Sequence, residues 1–173
     1  MSGPKRRLPV VQPKEDEGEP RPPWHWSVIG GVATMLALVP LALGAAALAR
    51  RTYEAYVPGS DPAEVQRSVA AMTGAQRLWL GVLVVVGPVV ALAVSAFASG
   101  VLVGRFGGEA GKKEAAVGGL LAAGVSSAIA ARDLASQPGG IVAWAFSSAV
   151  LFAVAGIAAF FGGVFGLRLR RSP

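Results

Sequence analysis

The stretch that decides the fold is GPVVALAVSAFASGVLVGRFGGEAGKKEAAVGGLLAAGVSSAIAA, residues 87–131. It holds two apolar runs rich in Ala, Gly, Ser and Val, joined by Arg105-Phe-Gly-Gly-Glu-Ala-Gly-Lys-Lys-Glu114. Charge is confined to the joint. Inside lipid no water is present to satisfy backbone N–H and C=O groups, so an uncharged run of this kind closes its own hydrogen bonds as a helix. The pair therefore reads as a membrane hairpin built for close helix contact.

Working outward, the same pattern recurs. No Asp, Glu, Lys or Arg occurs between Arg21 and Arg50, Arg77 and Arg105, Glu114 and Arg132, or Asp133 and Arg168, gaps of 28, 27, 17 and 34 residues. A helix needs about 20 apolar residues to cross the hydrocarbon core, with a range of about 17–25. All four gaps qualify, the third at the lower limit. With 53% hydrophobic and 15% charged residues and a mean hydropathy of +0.54, the chain lies outside the soluble range. The fold expected is an all-α, integral membrane bundle of four transmembrane helices over residues 24–171, with spans at about 27–49, 78–104, 115–131 and 141–167.

Residues 1–23 mix five basic and four acidic side chains with six prolines. Such a segment buries too little apolar surface to offset its ordering entropy and is expected to be a disordered tail. Arg6-Arg7 has the form of a twin-arginine signal, but Leu8-Pro9 follows and the first apolar run is some twenty residues away. A second reading of the N-terminal half is a long signal peptide ending at Ala45-Ala46-Ala47-Leu48-Ala49. The four acids upstream, the length of the run and Pro40 speak against it. Trp24 and Trp26 at one edge, and Tyr53 and Tyr56 beyond the other, fit an interfacial aromatic belt. Pro40 removes a backbone donor and is expected to kink span one.

The loop 50–77 predicts a short helix. Asp61 is placed to cap it, Pro62 suits the first helical position, and Glu64 completes a capping box. Val65, Val69 and Met72 then share one face before Gly74, giving an amphipathic outer helix. Orientation follows from the bases. The tail, the 105–114 turn and the C-terminus carry eleven Lys and Arg, and the two opposite loops carry five. Basic residues near span ends stay cytoplasmic, so both termini are expected there, in a bacterial inner membrane.

Lipid tails are as apolar as leucine, so spans associate through close backbone approach, which small residues four apart permit. Span three has two such stripes, Gly118, Ala122, Ser126, Ala130 and Gly119, Ala123, Ser127, Ala131. Span two has Gly87, Ala91, Ser95, Ser99, with Ala96, Gly100 and Gly104 beside it. Span four has Ala158, Gly162 and Gly166, and the rows of span one are shorter. These stripes predict closest contact among spans two, three and four, with span three central. Ser126 and Ser127 should lie at the depth of Ser147 and Ser148. A hydrogen bond there would add about 0.6 kcal/mol, unless each hydroxyl bonds back to its own helix. The segments 100–106 and 163–169 resemble one another, as a duplicated hairpin or common span-end chemistry would both explain.

The chemistry-bearing motifs are few. Glycines at 104, 107, 108 and 111 before Lys112-Lys113 suggest a phosphate loop, but Gly-Lys-Ser/Thr is missing and Glu109 and Glu114 repel anions; a flexible, lipid-facing turn is expected. The net charge of +6 lacks interleaved aromatics, so no nucleic acid is expected. Zero Cys excludes disulfides and thiolate metal sites. His25 is the only histidine, and no ionisable residue lies within the spans. Coupled transport and intramembrane hydrolysis normally require such groups. No catalytic residue, metal or cofactor is therefore expected. In outline the chain resembles small, uncharacterised four-span bacterial inner-membrane proteins with a glycine-rich turn between spans two and three. That resemblance rests on shape and composition and implies no activity. The function expected is a non-enzymatic subunit or accessory protein of a membrane assembly, partnered by the bilayer and by copies of itself or another membrane protein. The alternative is a small oligomeric channel or passive transporter lined by Ser95, Ser99, Ser126 and Ser127.

Overall fold

The computed structural model describes residues 23–57, 59, 61–108, 110–134 and 139–171. The tail expected over 1–23 lies outside this set except for Pro23. Five helices are described: α1 Trp24–Tyr56, α2 Pro62–Ala71, α3 Gly74–Phe106, α4 Lys112–Leu134 and α5 Gly140–Arg171. All but α2 are long and apolar enough to cross a membrane. The chain is an all-α, multi-pass bundle of four such helices.

Each membrane helix outruns its expected span at both ends. α1 and α3 have 33 residues each, or about 50 Å at 1.5 Å per residue, against about 30 Å of hydrocarbon. Both run unbroken through their prolines, Pro40 and Pro88. The short helix α2 forms where expected, but its cap does not. Asp61 has the extended backbone of a cap and makes no side-chain hydrogen bond; its carbonyl accepts from Val65 N instead. The capping box sits one helix later. Thr73 Oγ1 accepts from Gln76 N at 3.3 Å, and Gln76 Oε1 accepts from Thr73 N at 2.9 Å. Gly74 thus opens α3 and does not close α2.

The four long helices form a ring in the order α1, α3, α5, α4. The most extensive contact is α3 with α5, then α4 with α5, α1 with α3 and α1 with α4; α3 and α4 touch across the ring more sparingly. Span three is therefore not the hub. The small side chains of α4 face α5 and α1, and the hub is α3, which packs on α5 and α1 and touches α4 across the ring. The centre of the ring is filled by Leu92, Ala96, Ala123, Ala155 and Ala159, with Leu38 and Leu151 packed against them.

Depth pairing fixes where the bundle ends. Gly31 of α1 lies against Gly118 of α4, and Met35 lies against Ser126 one turn or two further on. The two helices run parallel, and α4, ending at Leu134, stops level with residues 43–47 of α1. The last turns of α1 and the first turns of α3 extend beyond it as an arm on the side of α2.

Candidate functional site

The closest contacts lie in the half of the ring next to the 105–114 turn. α3 and α5 run parallel there, and their glycines meet the opposite backbone. A Cβ added at Gly100 would overlap the carbonyl oxygen of Ala159, and one at Gly104 that of Gly163. From the other side, Cβ atoms at Gly162 and Gly166 would overlap the carbonyls of Phe97 and Val101. The two similar segments, 100–106 and 163–169, thus lie side by side in parallel.

The second seam joins α4 to α5 and α1. A Cβ at Gly119 would stand 2.5 Å from Ala155 O, and one at Gly118 would stand 2.9 Å from Ser27 O and 3.0 Å from Gly31 N. Ala122 and Ala123 are buried beside them. Gly30 and Gly31, outside the stripes singled out above, also lie at close contacts: a Cβ at Gly30 would stand 3.1 Å from Val103 Cγ2 and one at Gly31 3.3 Å from Gly118 O. Their signal was present in the rows Ser27–Gly31 and Gly30–Thr34, which are short because larger residues follow.

Polar groups at these seams are satisfied. Ser99 Oγ donates to Gly30 O at 2.6 Å, joining α3 to α1 where Gly30 lacks a side chain. Ser127 Oγ and Ser148 Oγ are 2.5 Å apart, and Trp144 Nε1 donates to Ser127 O at 2.9 Å, tying the C-terminal part of α4 to the N-terminal part of α5. Ser126 instead bonds back to Ala122 O at 3.0 Å and touches Met35 Sδ at 3.9 Å. Ser95 and Thr34 likewise bond back to Ala91 O and Gly30 O. Among the described residues no buried side-chain N or O lacks a partner. Ser95, Ser99 and Ser127 face into the single-chain bundle, so a pore between subunits would not be lined by them. Gly87 makes only ordinary contact, with Ala45 Cβ at 3.4 Å, and Ala91 is buried one turn deeper.

The 105–114 turn is packed and not simply lipid-facing. Gly107 N donates to Val103 O and Ala110 N to Gly107 O, and Gly108 takes φ +58°, a left-handed conformation natural to glycine. Ala110 is buried against Val103 and Ala115, with Trp26 alongside. Arg170 of α5 donates to Gly108 O. Glu114 caps its own helix by accepting from Gly111 N at 2.7 Å. Between this turn and the end of α5 opens a cleft of about 520 Å³ lined by Lys112, Lys113, Arg168 and Arg170. Among the described residues no group of His, Cys, Asp or Glu is placed to hold a metal ion.

No protein-family model matches this chain, and neither a curated protein nor a solved structure matches it.

Proposed function

We propose that this chain is a non-enzymatic subunit or accessory protein of a membrane assembly, held in a bacterial inner membrane with both termini cytoplasmic. The eleven-to-five distribution of basic residues supports that orientation. The small-residue faces of the inner half are occupied within the chain, so association falls to the outer arm. The observation that carries this reading is the openness of that arm. Gly44 and Gly81 have nothing within 4 Å of an added Cβ, and Leu43, Leu48, Leu78 and Trp79 around them are exposed. Small and apolar side chains on an unpaired helix surface are what a second helix in lipid would pack against.

The chain has no native Cys, so Gly44→Cys and Gly81→Cys each create a unique thiol. Self-association predicts disulfide-linked dimers of one or both variants in native membranes, and Gly44→Leu should reduce the assembled fraction in mild detergent while the monomer stays folded. A chain that is monomeric, forms no disulfide at either site and retains no stoichiometric membrane partner would overturn the proposal.

A further inference from the structure

The basic cleft has an apolar groove as its neighbour between the same two helices, α4 and α5. On α4, Lys112, Ala116 and Leu120 follow at four-residue steps, so they form one stripe. On α5, Arg168, Val164, Phe161, Ile157 and Ala153 do the same at three- and four-residue steps. Ala116, Leu120, Ala153, Gly156 and Phe160 line a groove that exposes only apolar surface. The two parts meet at Lys112, whose ammonium lies 5.5 Å from the ring centroid of Phe160. Among the described residues four cations, Lys112, Lys113, Arg168 and Arg170, line the cleft with one carboxylate, Glu114, which accepts from Gly111 N.

We propose that this groove between α4 and α5 binds one anionic phospholipid. Its phosphate lies among Lys112, Lys113, Arg168 and Arg170, and an acyl chain runs over Ala116 and Gly156 toward the bilayer centre. Two features of the groove favour a lipid over a free anion. The cations stand at the end of the bundle, at headgroup level, where a basic pocket between membrane helices attracts acidic lipid. Next to them, past the Lys112–Phe160 contact, lies a groove that exposes only apolar surface, which a phosphate ion would leave unused and an acyl chain fills. The absence of a Cβ at Gly156 widens that groove, since one there would come within 3.0 Å of Leu120 Cδ2.

The test uses the full chain, purified in mild detergent, with native mass spectrometry as the readout. Phosphatidylglycerol and phosphatidylcholine of identical acyl chains are added in turn. Wild type is expected to retain one phosphatidylglycerol at about ten times lower lipid concentration than phosphatidylcholine. The variant K112Q/K113Q/R168Q should lose that preference, and Ala153→Trp, which fills the groove, should weaken retention with every cation in place. R50Q/R51Q, at the opposite end of the bundle, should retain lipid as wild type does. Equal retention of the two lipids by wild type would overturn the proposal without recourse to any variant. So would loss of the preference in R50Q/R51Q, or displacement by inorganic phosphate with Ala153→Trp unaffected, which would mark a free-anion site. The readout is lipid bound per chain, so it is independent of whether the outer arm associates.

Discussion

The half of the bundle next to the 105–114 turn and the arm on the side of α2 are built from the same residues and packed quite differently. Gly100, Gly104, Gly162 and Gly166 each sit where a Cβ would overlap a neighbouring carbonyl, whereas Gly44 and Gly81 look onto open space. The difference shows that glycine in a membrane helix permits contact and does not create it. In lipid, apolar burial gives no net drive, so the gain comes from dispersion and polar contacts made at short range. Those accrue only where a second backbone arrives at the same depth. α4 stops level with residues 43–47 of α1, and beyond that point the arm has lost one of its neighbours.

The contrast can be broken or sharpened by substitution, with unfolding in mixed detergent as the measure. Gly162→Leu drives a branched side chain into the Phe97 carbonyl and should cost about 3 kcal/mol or more, or prevent folding. Retained stability there would mean that α3 and α5 are not in backbone contact. Gly119→Ala adds one methyl against Ala155 and should cost about 1–2 kcal/mol; a neutral result would show that α4 can slide away from α5. Ser127→Ala removes the bond to Ser148 and should cost about 0.6 kcal/mol, the usual size for such bonds in membrane bundles. Gly44→Ala on the arm should be neutral or stabilising by about 0.5 kcal/mol, because only helix propensity changes. A large loss at Gly44 would place a neighbour against the arm and would itself support assembly.

How much of this was legible beforehand differs by level. The four spans were, since absence of charge over a bilayer's thickness is a property of the chain alone. The existence of α2 was legible too, but its capping was not. Asp61 and Thr73 are both acceptable caps by sequence, and only the path of the chain decides which side chain reaches an N–H. Gly100, Gly104, Gly118, Gly119, Gly162 and Gly166 all lie at close contacts, yet the choice of α4 as hub failed. Small side chains show how near a neighbour could come and leave open which neighbour comes. Gly30 and Gly31 were underrated for the same reason, their row being short although both of its neighbours are close. The basic cleft was hidden because Lys112 and Arg168 are far apart in sequence and meet only through the α4–α5 pairing.

By itself, the sequence determined the number of crossings, their approximate limits and the bias of basic residues to one side. Each of these follows from the cost of leaving charges or backbone groups unsatisfied in hydrocarbon, which acts on every segment separately. The tertiary structure alone decided the ring order, the hub at α3, the crossing bond from Ser99 to Gly30 and the groove between α4 and α5. Those depend on which backbones arrive at a common depth, and that is a relation between segments which no single segment carries.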